Sequence, residues 1–303
     1  MTKVEYIGKC LVVEMGGKGK KEKKILVIGD LHLGYEEALN ESGVLVNRGS
    51  FDSVIKYLDK VFEEIGERGK EDDGRKRNKL VAHTLKGNEG DMIDDRVDDG
   101  QGDVKDNNSV VDEIVLMGDV KHVFGSVLKQ ERGDVIRLVN YLIDKIADDG
   151  KIVIIKGNHD AILEPILRGK ERIELLESYI CGDVCFVHGD KDNDSIWASG
   201  VEIVVIGHVH PAIRLQDNDG VKNEKYKCFL SGEMRRETER VIGGKGKRKL
   251  IVVPSFSDYN EGIDLLQNEI DLPWKVKLDG FEVRIVQEDD LSVLDFGKLG
   301  KIR

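Results

Sequence analysis

The sequence predicts an α/β fold in which two packed β-sheets are flanked by helices. Three observations carry that expectation. Five continuous β-branched runs each end in a polar cluster, amphipathic helical stripes separate the first of these runs, and the chain turns β-rich after Gly157. Such runs read as strands covered on both faces, and their alternation with helices is the pattern of an α/β architecture. With 303 residues the chain is long enough for a substantial core. No internal repeat or clear linker divides it, so residues 1–303 read as one domain with two additions.

In chain order, Ile25-Leu26-Val27-Ile28 runs into Asp30, and Ile114-Val115-Leu116-Met117 into Asp119. Ile152-Val153-Ile154-Ile155 leads to Asn158, Val184-Cys185-Phe186-Val187 to His188, and Ile203-Val204-Val205-Ile206 to His208. These five strands deliver polar residues at their C-terminal ends, where open α/β sheets form their sites. Between them, Phe51, Val54, Ile55, Leu58, Val61, Phe62 and Ile65 keep the spacing of a core-facing helix, with Ser50 as N-cap. A second stripe runs from Val135 through Leu138, Val139 and Leu142 to Ile146, and Asp148-Asp149-Gly150 should end it. Later strands are expected near Ala212 to Gln216, Tyr226 to Leu230, Leu250 to Val253 and Phe281 to Gln287.

The two additions are polar. From about Gly66 to Asn108 the apolar residues are sparse, and Asp91, Asp94, Asp95, Asp98, Asp99, Asp103 and Asp106 crowd together. Such a segment buries too little surface to offset its ordering entropy and reads as a disordered acidic insertion. A polar and basic loop region spans about Asp217 to Lys249, with Arg235, Arg236, Arg240, Lys245, Lys247, Arg248 and Lys249. The basic run at its end lacks interleaved aromatics and reads as a solvated loop.

A net charge of −11 makes the surface as a whole repel polyanions and membranes, so a nucleic-acid partner would need a local basic patch or bound cations. Cys10, Cys181, Cys185 and Cys228 are too few and scattered for a disulfide-stapled module, and they fit a reducing cytoplasm. Cys181 and Cys185 lack the second pair that a zinc site would use. No apolar stretch approaches the roughly 18 residues of a membrane span, and the Cys10 to Val13 run is too short for a signal peptide. Nothing in the sequence fixes an oligomeric state.

Taken singly, an Asp after a strand is most often a cap or turn residue, and a lone His is most often structural. Together the five clusters read differently. Asp30-Leu31-His32, Gly118-Asp119, Gly157-Asn158-His159-Asp160, His188-Gly189 and Gly207-His208-Val209-His210 supply mixed carboxylate, amide and imidazole donors at five successive strand ends. Divalent ions that activate water use this donor mixture, and a pair of ions needs a carboxylate able to bridge them. Metal-assisted phosphoester hydrolysis is the chemistry that this inventory suits.

In these residues the chain resembles the calcineurin-like metallophosphoesterase superfamily, whose signature of D-x-H, GD, GNH[DE], H and GHxH matches the five clusters in order. The resemblance implies a four-layer αββα sandwich of two mixed sheets with two metal ions at the sheet ends. It places Asp30, His32 and His210 on one ion, Asn158, His188 and His208 on the other, and Asp119 between them. It further implies a bridging hydroxide as nucleophile, with His159 as proton donor to the leaving group or stabiliser of the transition state, and Asp160 orienting His159. Manganese is the first expectation from the mixed oxygen and nitrogen donors, with zinc, iron or magnesium as substitutes.

The chain departs from the common GDxxDR form of the second motif, reading Gly118-Asp119-Val120-Lys121-His122. Lys121 and His122, together with Arg48 before the first long helix, are expected at the substrate. This variant, Tyr35-Glu36 after the first motif and the later Pro254-Ser255-Phe256 resemble an archaeal and bacterial subgroup of predicted phosphoesterases often encoded beside DNA ligases or helicases. That likeness implies nucleic-acid phosphodiesters as substrate, DNA repair as context and a ligase or helicase as partner. A phosphomonoesterase acting on a small molecule or phosphoprotein is the enzymatic alternative. A non-catalytic scaffold is the third reading, and the intact ligand set speaks against it.

Overall fold

A computed structural model describes residues 2–16, 22–84, 110–216, 223–235 and 246–303. The first half runs β1 (Thr2–Ile7), β2 (Cys10–Met15), β3 (Lys23–Ile28), α1 (Tyr35–Glu41), α2 (Ser50–Thr84), β4 (Val111–Leu116), α3 (Lys129–Ile143), β5 (Ile146–Ile155), α4 (Glu164–Leu167) and β6 (Ile173–Leu176). The second half adds β7 (Ser178–Cys181), β8 (Val184–Val187), β9 (Ile203–Ile206), β10 (Pro211–Gln216), β11 (Asn223–Arg235), β12 (Lys247–Val252) and β13 (Ile263–Asp264). It closes with β14 (Glu282–Val286), β15 (Val293–Lys298) and α5 (Leu299–Ile302). No helix among the described residues is long and apolar enough to cross a membrane.

The strands form two mixed sheets. The first has the order β1-β2-β3-β4-β5-β6, antiparallel from β1 to β3 and parallel from β3 to β6. The second has the order β13-β10-β11-β12-β9-β8-β7, with β14 also pairing β11 and β15 pairing β14. Its centre, β8-β9-β12, is parallel.

Side-chain alternation explains why the central runs are apolar without interruption. In β3, Ile25 and Val27 face the other sheet while Leu26 and Ile28 meet the helices, and β4 and β5 repeat the arrangement. The seam between the sheets is filled by Val115, Met117, Val153 and Ile155 against Phe186, Val205, Phe229 and Ile251. On the outer face of the first sheet, Phe51, Val54, Leu58, Val61, Phe62 and Ile65 of α2 and Val135, Leu138, Val139 and Leu142 of α3 complete the core. The outer face of the second sheet has a thinner cover. A 3₁₀ turn at Asp194–Trp197, residues 265–281 and α5 supply Ile196, Leu265, Trp274, Phe281 and Leu299.

Several expected boundaries shift. Helix α2 already includes Ser50, with the Gly49 carbonyl accepting from the amide and hydroxyl of Ser53. It then continues to Thr84, through the start of the stretch expected to be an insertion. That part of the sequence has no proline and is rich in Glu, Lys and Arg, and Arg68 pairs with Glu64 one turn back. The remaining residues, 85–109 with their acidic cluster, lie outside the described residues. Helix α3 ends at Ile143, and Ile146 belongs to β5, as do Asp148, Asp149 and Gly150. Ile146 is buried in either case, so its apolar character could not distinguish a last helical turn from a first strand residue. The polar region after Asp217 contains the whole of the 13-residue β11 and the start of β12, while Arg236, Arg240 and Lys245 lie outside the described residues.

A candidate metal centre at the seam of the two sheets

The C-terminal ends of β3, β4 and β5 from one sheet and of β8 and β9 from the other converge at one edge of the sandwich. Each delivers one polar cluster. The turns that follow are sharp, and four of their non-glycine residues take left-handed backbone conformations: His32 (φ 45°), Asp119 (φ 46°), His208 (φ 61°) and His210 (φ 49°). Such conformations cost L-residues about 1–2 kcal/mol each and persist where the surroundings over-determine them. Backbone bonds do so here, with His32 N–H donating to the Asp119 carbonyl at 2.8 Å and Leu33 N–H to the Val120 carbonyl at 2.9 Å. Gly118, at φ 100°, leaves room for the imidazole of His188, whose Nδ1 would lie 2.5 Å from a Cβ there.

Two groups of donors result. The ligand atoms of Asp30, His32 and His210 lie within 4.8 Å of one another, as do those of Asp119, His188 and His208. Asp119 stands between the groups, its Oδ2 lying 3.5 Å from His188 Nε2 and 3.9 Å from His32 Nε2. Asn158 joins the second group through Oδ1, 3.1 Å from His188 Nε2. All seven side chains expected around the ions are thus neighbours. Their bonding is incomplete in a telling way: both ring nitrogens of His32 and Nε2 of His210 are buried with no hydrogen-bond partner. An unpaired buried polar atom costs about 1–3 kcal/mol, and these lone pairs converge beside carboxylates, so the residues fit divalent cations.

Electrostatics agree. Burial would raise the Asp30 carboxyl, but the charges of His210, His188 and His32 hold it well below the usual carboxylate range. Burial pushes His32 down to about 4, against the pull of Asp30, which keeps the ring in the neutral form that binds metals. Burial also opposes the His188 cation, yet its bond to Asp119 and the charges of Asp30 and Asp119 push it up to about 9. A bound cation would take the place of that proton. The other His188 nitrogen, Nδ1, lies 2.8 Å from the Met117 carbonyl, which fixes the ring.

The comparison with known families decides between a coincidence of donors and a known centre. The model for calcineurin-like phosphoesterases matches residues 23–226, about two thirds of the chain and all five clusters. The chain belongs to the calcineurin-like phosphoesterase family. It is a metal-dependent phosphoester hydrolase. No curated protein matches it. Among solved structures, the Pseudomonas putida nuclease MPE is similar, at 12% identity and a TM-score of 0.46 over 94% of this chain and 96% of that one. When bound, divalent cations supply Lewis acidity for phosphoryl oxygens and ease the ionisation of water.

The flank of this phosphoesterase centre is built by the turn after β4 and the turn after β5. His159 N–H donates to Asp119 Oδ1 at 2.9 Å, and its ring is partly exposed with Nε2 3.9 Å from Asp119 Oδ2. Its Nδ1 meets the backbone carbonyl of His122. That carbonyl therefore orients His159, a correction to the expectation for Asp160. Asp160 instead accepts from the backbone N–H groups of Val120 (3.0 Å) and Gly157 (3.1 Å), tying the two turns together. Burial and the charge of Asp119 push its carboxyl up to about 7. A backbone acceptor such as the His122 carbonyl leaves no mark in residue types, so no sequence signal could have identified it.

The three expected substrate contacts separate. The His122 ring stacks on Tyr35 with centroids 3.8 Å apart and lies 5.4 Å from the His32 ring, so it faces the centre. Its ring joins His32 and His159 in a further group of close imidazoles. Lys121 does not face substrate: it is fully buried and donates to the Val123 carbonyl. Arg48 is exposed and pairs with Glu37 at 2.7 Å instead of reaching the centre.

Proposed function

We propose that this phosphoesterase is a manganese-dependent phosphodiesterase that cleaves nucleic acid. The observation that carries the reading is an aromatic rim beside His159. Phe124 is 68% exposed, with its ring centroid 5.5 Å from that of His159 and the two rings nearly perpendicular. The stacked Tyr35 and His122 rings continue the rim, and Tyr259 lies 6.0 Å from Tyr35. A large exposed aromatic ring costs solubility unless something stacks on it, and nucleobases are the planar groups that accompany phosphodiesters. Since the net charge is −11, backbone attraction over a wide surface is not the means of recognition. Bound cations and stacking would share that task.

Within this reading, His159 donates the proton to the leaving alkoxide, and its held Nδ1 leaves Nε2 turned to the centre. Manganese suits a donor set of carboxylate, amide and imidazole without thiolate. Buried Cys10, Cys185 and Cys228 and half-buried Cys181 are all free thiols, in keeping with a cytoplasmic setting. The motif variant in the second cluster supports a role in DNA repair beside a ligase or helicase. The test is a panel of single-stranded, double-stranded and nicked DNA, RNA, and aryl mono- and diesters with Mn²⁺. Faster cleavage of diesters, and a KM for oligonucleotides raised in Phe124→Ala, support the reading. Preference for monoesters overturns it in favour of a phosphatase.

A further inference from the structure

We propose that residues 254–263, which lie beyond the matched family region, act as a strap that sets the geometry of the Asp30, His32 and His210 group, with Asn260 as the positioning residue for His210. The strap holds Asp30 from behind. The Asp30 carbonyl accepts from Ser255 Oγ at 3.1 Å, from Phe256 N–H at 2.9 Å and from Ser257 N–H at 3.3 Å. The strap is itself anchored by two buried lysines. Lys227 Nζ donates to the carbonyls of Ser255 (3.0 Å) and Ser257, while Lys9 Nζ pairs with Asp258 at 2.8 Å and lies over the Phe256 ring. Three donors from consecutive strap residues on a single carbonyl leave Asp30 little freedom to drift.

At its other end the strap reaches His210. The Asn260 amide nitrogen Nδ2 lies 2.6 Å from His210 Nδ1, and Oδ1 accepts from Gly262 N–H at 3.0 Å. Ile263 N–H then bonds the His210 carbonyl at 2.8 Å, where β13 joins β10. His210 Nε2, 3.3 Å from Asp30 Oδ1, is the nitrogen turned to the centre. For Nε2 to bind a cation it must be bare, so the ring proton belongs on Nδ1 and needs an acceptor there. Asn260 is the side chain bonded to that nitrogen; when its amide turns, Oδ1 becomes the acceptor for Nδ1–H and gives up the bond from Gly262 N–H. With the amide nitrogen toward the ring, Nδ1 is the acceptor and the proton sits on Nε2. The amide orientation therefore selects the tautomer that binds metal.

The proposal rests on the metal chemistry of the family and not on the substrate proposed above, since a phosphatase would need Asn260 equally. The experiment is calorimetric titration of the metal-free full-length protein with Mn²⁺. Asn260→Ala is expected to bind one ion about 10- to 100-fold more weakly while the other is unchanged. Asn260→Asp places an acceptor toward both Nδ1–H and the Gly262 N–H, and is expected to bind both ions at least as tightly as the wild type. Undiminished binding of both ions by the Ala variant overturns the proposal. So does weakened binding by the Asp variant, which keeps the test decisive if the Ala variant does not fold.

Discussion

Replacing Gly207 by Ala tests the steric logic of the centre with a single methyl group. Gly207 lies between β9 and His208, and its amide donates to the His188 carbonyl at 3.0 Å. A Cβ at this position would lie 2.4 Å from Asp30 Oδ2 and 3.2 Å from the Met117 Cβ. Its φ is outside the left-handed region, so the perturbation is a clash and not a torsional strain. To reach ordinary contact the carboxylate must retreat by about 1 Å, a misplacement of the size that costs roughly 100-fold in rate. It has nowhere easy to go, because Asp30 is fully buried and both its oxygens lie 3.1 Å from the His208 N–H that they share. We expect Gly207→Ala to lose about 1–3 kcal/mol of stability through overpacking. We expect kcat/KM to fall about 100-fold, equivalent to about 2.7 kcal/mol of transition-state stabilisation. Denaturant unfolding, Mn²⁺ stoichiometry and steady-state kinetics on one preparation separate these effects. A variant that binds two ions and keeps kcat/KM within about twofold of the wild type would refute the reasoning.

His159→Ala should keep its metal content while turnover falls by about two to four orders of magnitude, as for a lost proton donor; unchanged turnover removes His159 from the mechanism. Phe256 is fully buried, with the Tyr57 ring 5.3 Å away and the Lys9 ammonium over its face. Truncation to Ala should cost about 3–5 kcal/mol in urea unfolding, and a loss under about 1 kcal/mol contradicts its place in the core. Lys227 bears on pH dependence. Burial and the nearby Lys9 push its ammonium down to about 7, against Glu288, Asp258 and Glu261, which pull upward. An unfolded lysine titrates near 10.4, so between these values the unfolded chain binds the extra proton and stability rises with pH. The stability of the wild type relative to Lys227→Met should therefore increase from about pH 7 to 10, by at most about 1.4 kcal/mol per unit. A flat difference over that window sinks this account.

The parts of the fold that were legible in the sequence are those where one physical demand acts on consecutive residues. Ile25 to Ile28 and Ile203 to Ile206 are apolar throughout because both faces of their strands are buried, and that demand is visible without a structure. The Asp and His residues at their ends stand out for the same reason, since polar donors follow directly on buried strands. Edge elements gave weaker signals: β1 and β15 are mostly half-buried or exposed and carry no continuous run. Side-chain direction was not legible at Lys121, whose charge suggested a phosphate contact but whose ammonium turns inward to a carbonyl. Arg48 was misplaced because an exposed ion pair with Glu37 satisfies it before the centre does. Asn260 carried no signal, because an Asn in a loop fifty positions from His210 meets it only through the β10 and β13 pairing.

Each donor group takes members from both sheets: Asp30, His32, Asp119 and Asn158 follow strands of the first, and His188, His208 and His210 follow strands of the second. Cations seated there would rivet the two leaves of the sandwich along one margin. Occupancy is then coupled to how readily those leaves part, so loss of the ions should loosen the whole margin at once and not merely empty a cavity. Hydrolytic competence and closure of that margin are thereby linked, while the apolar seam around Phe186, Val205, Phe229 and Ile251 holds the rest of the sandwich. A newly made chain acquires both only after β9 and the His210 turn have folded against the strands that came before.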